Sequence, residues 1–311
     1  MRRRVFLMFV FDIVFPRGVD VTHRTYVADC SGVYKFNDQL YFMLEERFPL
    51  DGQGVDFNVD WRTENLFFTC VTYDNNIFVR ILVNTTRPIR YVTLNFDPFI
   101  IGQTSAIDNI NNDIYLGTSS GVFKYEYHGS IMKPYAALGV DVMYLAVNSN
   151  STEMYIATYP DNEVFEVTNS GRTIKQFLYI RYGHGLKSYK NYIYFYDAIY
   201  PSQRTHKLPY VFEKNTKSLR KIEGFLNETN ILFDVLPTGK VYAIDTESRL
   251  YIINSTSATA TYLGHFGMKE ISGLGFDSKS NIFLGVNQEI LKFTTHSSNP
   301  CPFTTEHIDL T

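Results

Sequence analysis

The chain has 311 residues, 45% of them hydrophobic and 16% aromatic, with a formal net charge of −3. This length permits one or two domains with a substantial core. The mildly acidic charge disfavours nucleic acid or an anionic membrane as a partner, and the many Tyr and Phe residues favour β-strands over helices.

The amino-terminal segment, residues 1–20, is predicted to be a secretory signal peptide. Residues 2–4 are three arginines, and residues 5–15 form an apolar run broken only by Asp12. This run is too short to span a bilayer, and no other segment approaches about 20 apolar residues. The alternatives are an uncleaved anchor or a misassigned start codon. We therefore expect residues 21–311 to form a secreted, extracellular domain, and we expect it to be a monomer.

A repeat of about 40 to 50 residues then begins near residue 57 and runs to residue 293 without a linker. Six times a polar turn leads into a β-run with an aromatic residue at a matching place. These residues are Phe67, Tyr115, Tyr155, Tyr194, Tyr242 and Phe283. Short strands with this period are typical of a β-propeller. We predict an all-β fold, a single six-bladed β-propeller domain with four-stranded antiparallel blades.

Each repeat has the same order of elements. An inner strand comes first and often ends near an Asp, and its examples are residues 57–60, 105–108 and 274–277. A turn, the aromatic strand and a third strand follow. The third strands alternate apolar and polar residues, as half-buried antiparallel strands do, at residues 121–125, 164–167, 249–252 and 289–293. Asp60, Asp108 and Asp277 are predicted to form turns at the strand ends.

The last repeat lacks a fourth strand, because the sequence after Phe293 is rich in Ser, Pro and Thr. Residues 40–44 are predicted to supply that strand and so to close the ring without an exposed edge. Cys30 and Cys301 bracket the repeats, and we expect them to form a disulfide that locks this closure in an oxidising compartment. Cys70 lies within a strand and is expected to be a buried free thiol.

Four sequons fit a secreted glycoprotein, although about as many arise by chance in a chain of this composition. The acceptor residues are Asn84, Asn150, Asn227 and Asn254. Each falls in a predicted turn or at a strand end, where a glycan is accommodated.

Several motifs occur together in this chain. They are Cys-Ser-Gly-Val at 30–33, the hairpin over 112–125, Gly-Leu-Gly-Phe-Asp at 273–277 with Asn-Ile-Phe at 281–283, and Cys301. In this combination they resemble the ommochrome-binding proteins of moths and butterflies, which are secreted carriers of tryptophan-derived phenoxazinone pigments. The resemblance covers most of residues 30–301, and the hairpin pattern is shared with propellers of the NHL and gluconolactonase-like kind. It implies a non-catalytic carrier of a small aromatic ligand without a cofactor, and it supplies no ligand-contact motif.

Ligands of propellers usually lie at one mouth of the channel, so residues just before each inner strand are the candidates. They are Asp56, Phe57, Thr104, Ser105, Met143, Tyr144, His184, Asn230 and Ser272. Tyr144 or Phe57 would stack on a flat pigment, and His184, Asn230 and Ser272 would donate or accept hydrogen bonds. His184 stands between two glycines and is a candidate ligand contact or general base. The alternative is that these side chains only close the channel by bonding to one another.

Two other function classes remain open. A calcium-dependent lactonase would need several oxygen ligands converging in the channel, and Asp56, Asn230 and Asp234 are the available candidates. No paired-carboxylate spacing supports that chemistry. A protein-interaction scaffold would use long loops, which the two longest intervals place at about residues 81–99 and 201–230.

Overall fold

The computed structural model describes residues 32–36, 40–83, 90–96, 99–127, 131–148, 153–168, 171–180, 183–196, 208–226 and 230–300. Within these ranges every regular element is a β-strand. No helix in this part of the chain has the length and apolarity needed to cross a membrane. The predicted signal peptide and both cysteines of the predicted disulfide lie outside the described residues.

The strands are arranged as six antiparallel sheets. Two strands precede the repeats: β1 (Val33–Phe36) and β2 (Leu40–Pro49). Blade one contains β3 (Gly52–Asp60), β4 (Asn65–Thr72), β5 (Ile77–Val83) and β6 (Arg90–Thr93). Blade two contains β7 (Gly102–Asp108), β8 (Asp113–Thr118), β9 (Gly121–Glu126) and β10 (Ile131–Ala136). Blade three contains β11 (Val142–Val147), β12 (Met154–Thr158), β13 (Val164–Thr168) and β14 (Thr173–Gln176).

The remaining three blades follow the same order. Blade four contains β15 (His184–Tyr189), β16 (Tyr192–Tyr196), β17 (Pro209–Glu213) and β18 (Ser218–Lys221). Blade five contains β19 (Leu232–Val235), β20 (Val241–Ile244), β21 (Arg249–Asn254) and β22 (Thr259–His265). Blade six is built from β23 (Ile271–Phe276), β24 (Ile282–Val286) and β25 (Glu289–His296), joined by β2 and β1. The prediction of a six-bladed propeller is therefore confirmed.

The six repeated aromatic residues lie in the second strand of each blade, and none is more than 9% exposed. Each packs in the core between its own blade and the next. Phe67 contacts the cluster that contains Ile114 of blade two, and Phe283 packs with Leu66 of blade one. Second strands are covered on both faces, which is why their sequences are mainly apolar and why the repeat is visible in the sequence.

The first strand of each blade lines the channel. Each of these inner strands contacts the inner strands of both neighbouring blades, and β23 of blade six contacts β3 of blade one. The six inner strands therefore form a closed ring. Since they run in the same sense along the channel, their first residues meet at one mouth and their last residues at the other.

The ring is closed by the amino-terminal strand β2, as predicted. β2 pairs antiparallel with β25, with Phe48 opposite Ile290, and is longer than the five predicted residues. An unpredicted fifth strand, β1, pairs with the outer edge of β2. Its Phe36 is fully buried against Phe266. Both outer additions shield the edge at which the first and last parts of the chain meet.

The predicted turn-forming aspartates are confirmed. Asp108 Oδ1 accepts hydrogen bonds of 3.1 Å from the backbone N–H groups of Ile110 and Asn111. Asp277 Oδ1 does the same for Lys279 and Asn281, at 2.9 and 2.8 Å. These are Asx turns, which let a short polar segment reverse the chain.

Cys70 is free and buried, as predicted. Burial raises the pKa of its thiol to about 11, and the nearby Arg80 guanidinium opposes that shift only in part. The thiol is therefore protonated at neutral pH and chemically quiet.

The predicted long loops were partly wrong. Strand β6 lies within residues 81–99, and β17 and β18 lie within residues 201–230. Of the four sequon acceptors, Asn84, Asn150 and Asn227 lie outside the described residues. Asn254 is the last residue of β21 and is exposed.

Candidate functional site

The inner strands share a local irregularity near the mouth at which they begin. Five of the six shift register against the second strand of their blade. The shifts lie between Val55 and Asn58, Gly102 and Thr104, Val142 and Tyr144, His184 and Lys187, and Ile271 and Gly273. Such β-bulges re-aim side chains next to functional sites. The sequence-predicted residues lie at or beside these bulges, except Asn230, because β19 pairs with β20 in continuous register.

Asp56 and Ser105 are brought together. Asp56 has a φ of 53°, and its Oδ2 accepts hydrogen bonds from Thr104 Oγ1 at 2.5 Å and from the Ser105 N–H at 3.1 Å. Asn58 adds a bond of 2.9 Å from its Nδ2 to the Ser105 carbonyl. These hydrogen bonds connect blade one to blade two. They also engage the Asp56 carboxylate, which a metal ion in the channel would need as a ligand.

Tyr144 and His184 are also brought together, with a third residue that the sequence did not single out. The hydroxyls of Tyr144 and Tyr196 both lie against His184 Nε2, the latter at 3.1 Å. The ring centroids of Tyr144 and Tyr196 are 4.2 and 4.1 Å from that of His184. Burial raises the pKa of both phenols, so both remain neutral hydrogen-bonding groups.

The other predicted residues are placed separately. Phe57 is 1% exposed and packs in the core between blades six and one. Ser272 donates a hydrogen bond of 2.7 Å to the Gly54 carbonyl. Asn230 is exposed just before β19 and has a φ of 51°. Whether any of these residues contacts a ligand stays a prediction.

Below this mouth, Lys187 crosses the channel. Its ammonium donates hydrogen bonds of 2.6 Å to Asn58 Oδ1 and of 3.1 Å to the Phe57 carbonyl. It also lies 3.8 Å from Asp234 Oδ1, and the side chains of both charged residues are about 15% exposed. Sequence reasoning missed Lys187, because the bulge between His184 and Lys187 changes which side chains of β15 face the channel.

Asp234 sits in an unusual electrostatic environment. Burial raises the pKa of this carboxyl to about 6, and the charge of Asp56 adds to the rise. The Lys187 ammonium and backbone N–H groups, including that of Phe276 at 2.9 Å from Oδ2, counteract it. The carboxyl therefore changes charge near pH 6, and carboxyl groups with such shifted pKa values are enriched at functional sites and in buried ion pairs.

A cavity of about 170 Å³ opens at the far ends of the inner strands, beside this ion pair. Its polar wall includes Asn58, Lys187 and Asp234. Its other walls include Trp61, Ile110, Tyr189 and Pro237. Trp61 is the only tryptophan of the chain, and its Nε1 donates a 3.0 Å hydrogen bond to the Phe276 carbonyl. A concave, largely apolar cavity with a few convergent polar groups is the usual form of a small-molecule site.

Asp56 and Asp234, two of the three residues proposed for calcium, do not fit that ion. Asp56 is bonded to Thr104 and Ser105. Asp234 faces the Lys187 ammonium, which already lies among the oxygens of this level of the channel. Across the described part of the chain, no group of three or more His, Cys, Asp or Glu side chains is arranged to hold a metal ion. A divalent cation here would meet the positive charge of Lys187.

Comparison with known proteins gives a fold and no family. No family model matches the chain, and no curated protein matches it. Among solved structures, a gluconolactonase from Xanthomonas campestris is similar with a TM-score of 0.61 and 10% identity, over 87% of this chain and 93% of that one.

Two further solved structures have a similar fold. An auxiliary nutrient binding protein from Bacteroides thetaiotaomicron has a TM-score of 0.57 and 11% identity, over 82% of this chain and 73% of that one. A chain of a mitotic checkpoint complex has a TM-score of 0.56 and 10% identity, over 91% and 98%. At such low identity the likeness shows the β-propeller fold alone, which hosts many unrelated functions.

Proposed function

We propose that this chain is a non-catalytic carrier that binds a small aromatic metabolite, an ommochrome-type pigment, within one end of its channel. The observation that carries the proposal is the cavity at the far ends of the inner strands, with Trp61 and Tyr189 in its wall and with Asn58, Lys187 and Asp234 among its polar side chains. The pigment class rests on the resemblance to ommochrome-binding proteins, and the propeller fold is consistent with it.

The cavity suits binding better than metal-dependent hydrolysis. The one carboxylate in its wall is Asp234, and its neighbour is the Lys187 ammonium rather than a second carboxylate. A lactonase of the calcium-dependent kind needs converging anionic or neutral oxygens. Here the Lys187 ammonium lies beside the Asp234 carboxylate instead. This arrangement favours reversible binding of a ligand whose own charges complement those of the two residues.

Secretion and glycosylation belong to the same proposal. Asn254 is exposed at the end of β21, in a turn where its Oδ1 accepts the Thr256 N–H at 3.1 Å. Mass spectrometry of protein purified from its native source tests both features. A glycan on Asn254 and an amino terminus after residue 20 support them, whereas an intact residue 1 and unmodified Asn254 would contradict them.

The carrier proposal is tested by colour and by the fluorescence of Trp61. Protein from the native source is expected to show the visible absorbance of a non-covalent chromophore. Titration of the apoprotein with a soluble phenoxazinone is expected to quench Trp61, since the pigment would lie against the only indole of the chain. A W61F variant, followed by pigment absorbance, should still bind. A colourless protein that binds no phenoxazinone and hydrolyses lactones with calcium would overturn the proposal.

A scaffold is a second candidate, favoured by exposed apolar side chains at the opposite mouth. Phe99, Leu138, Leu178 and Leu226 each precede an inner strand and are 63–89% exposed. Large apolar side chains clustered on one face mark interaction surfaces. Light scattering over a wide concentration range distinguishes the two roles: a carrier is expected to stay monomeric, and association that serine substitutions at Phe99 and Leu178 abolish would favour a scaffold.

A further inference from the structure

Two side chains of opposite charge face the same small cavity. Lys187 comes from β15 of blade four and Asp234 from β19 of blade five, and both lie in the cavity wall. Their Nζ and Oδ1 atoms are 3.8 Å apart, which is longer than the roughly 2.7–2.9 Å of a charge-assisted hydrogen bond. The pair is therefore an ion pair whose members are not hydrogen-bonded to each other.

Each charge is held in place by other groups. Among the described residues, the ammonium of Lys187 bonds to Asn58 Oδ1 and to the Phe57 carbonyl. An ammonium has three N–H donors, so one donor remains for a ligand. Asp234 is fixed through Oδ2 by the Phe276 N–H, and its Oδ1 is the atom turned towards the cation. The two charges are thus positioned before any ligand arrives.

Most of the other residues in the wall are apolar, with Asn109 and Ser188 as the exceptions. Trp61, Ile110 and Pro237 contribute mainly apolar surface. In such surroundings a charge that loses its water needs a partner, and an unpaired one is heavily penalised. A ligand with one charge satisfies one member of the pair and leaves the other facing an apolar body. A ligand with both charges satisfies both members.

The volume is consistent with a compact head group. A water molecule needs about 10–15 Å³ on the same measure, so the cavity of about 170 Å³ accommodates on the order of ten heavy atoms. That is enough for an α-amino-acid group and the start of the ring attached to it. The remainder of a larger ligand would extend past Trp61 and Ile110 to the mouth.

We infer that the cavity selects ligands with a zwitterionic amino-acid head group, whose carboxylate meets Lys187 and whose ammonium meets Asp234. This inference rests on the proposed carrier function and narrows its ligand class to aryl amino acids and the pigments that retain such a group. The competing interpretation is an internal ion pair that merely fills the channel. The two interpretations make different predictions: only in the first does removal of one charge change which ligands bind most tightly.

The test uses four probes: three share an aryl ring and differ in the charges that they present to the pair, and the fourth keeps both charges but has no ring. Kynurenine is a zwitterionic aryl amino acid, kynuramine lacks its carboxylate, and 3-(2-aminobenzoyl)propionate lacks its α-amino group; norleucine is zwitterionic without a ring. The full chain is titrated with each probe. Trp61 fluorescence reports the three aryl probes, and calorimetry reports norleucine. Kynurenine is expected to bind about ten- to a hundred-fold more tightly than either singly charged analogue, the span that charged hydrogen bonds give.

Charge-removing variants make the test independent of any general loss of folding. K187M should weaken kynurenine and the propionate about tenfold or more while kynuramine binds at least as well as before. D234N should show the opposite selectivity between the two analogues. The Lys124–Asp113 ion pair on blade two lies outside the cavity, so K124M and D113N are matched controls that should leave all four affinities unchanged.

The outcomes separate the two proposals. If all three aryl probes bind equally well and neither variant changes their order, the head-group inference is wrong and the carrier proposal stands. If norleucine binds as tightly as kynurenine, the zwitterion is recognised and the aromatic ligand is wrong. If no probe and no phenoxazinone binds, both proposals are wrong. Weakening of every probe alike by K187M also overturns the inference, because a collapsed cavity would not discriminate between charges.

Discussion

Lys187 of blade four donates a 3.1 Å hydrogen bond to the carbonyl oxygen of Phe57 in blade one, so one side chain reaches across the channel. This contact separates two chemically different ends. On one side lies the cluster of Tyr144, His184 and Tyr196. On the other lies the cavity with Trp61 and Asp234.

The ligand is expected to bind at the cavity end rather than at the mouth with His184. Y144F and H184Q alter the mouth only, since neither residue lies in the cavity wall. We expect both variants to bind a phenoxazinone within about twofold of the parent affinity, by quenching of Trp61 fluorescence. A tenfold loss in either variant, with K187M unaffected, would move the binding site to the mouth and support the sequence-based choice of residues.

Asp234 is expected to make stability depend on pH. Its pKa rises from an ordinary value of 3.8 to about 6 on burial, so between about pH 4 and pH 6 the unfolded chain binds fewer protons at this site than the folded chain. Stability therefore falls as pH rises through that window, by up to about 3 kcal/mol. The measurement is the free energy of urea unfolding at several pH values.

D234N should lack this component. The unfolding free energy of the parent minus that of D234N should decrease by up to about 3 kcal/mol between pH 4 and pH 7. D234A is the matched control, because it removes the same titrating group and should give the same pH-dependent difference. A difference that does not change with pH would show that Asp234 titrates at its ordinary value.

Gly273 is expected to be required by the ring of Phe57. A Cβ at position 273 would lie 2.6 Å from two ring carbons of Phe57. G273A should therefore lower the free energy of unfolding by about 1–3 kcal/mol, and by clearly less in an F57L background, where the ring is gone. Thermal unfolding of the four proteins in this double-mutant cycle gives the coupling.

The control for that cycle is G139A. Gly139 has a φ of 82° and nothing within 4 Å of the position of an added Cβ. Its substitution is expected to cost only backbone strain of about 1 kcal/mol, and F57L should not change that cost. Equal costs of G273A in both backgrounds would mean that the ring of Phe57 is not what excludes a side chain at position 273.

Closure of the ring is expected to depend on Phe48. This β2 residue is 2% exposed and packs with Phe57 and Phe283 in the core between blades six and one. F48A should destabilise the protein by about 3–5 kcal/mol, the usual range for a buried Phe. F99A, at a residue that is 89% exposed, should change stability by no more than about 0.5 kcal/mol. Similar effects of the two substitutions would argue against β2 as the closing strand.

Most of the fold could be predicted because inter-blade packing leaves a periodic trace. Residues such as Tyr155 and Tyr194 are buried between two blades, so each blade needs a large apolar side chain at that place. The extra strand β1 could not be predicted, since its four residues carry little signal alone and it pairs only with β2. Local pattern predicts repeats well and predicts single outer strands poorly.

The candidate site was less accessible to sequence reasoning. Asp56 with Ser105, and Tyr144 with His184, were expected at one mouth, and the structure does bring each of these pairs together. The cavity was not expected. A lysine in an alternating strand normally faces solvent, and only the bulge between His184 and Lys187 turns Lys187 into the channel. A bulge depends on the pairing partner, which lies outside the local sequence.

The pairing of β2 with β25 also determines when blade six can be completed during synthesis. Arg47 of β2 contacts Glu289 of β25 across 242 residues of chain. At about 5–20 residues per second, the ribosome takes roughly 12–48 seconds to supply that partner. Throughout this interval β2 has only β1 as a pairing partner, and its other edge is open, while blades one to five can form behind it from local contacts. Blade six is thus the last sheet to be completed, and until then the nascent chain depends on whatever keeps the open edge of β2 from pairing elsewhere.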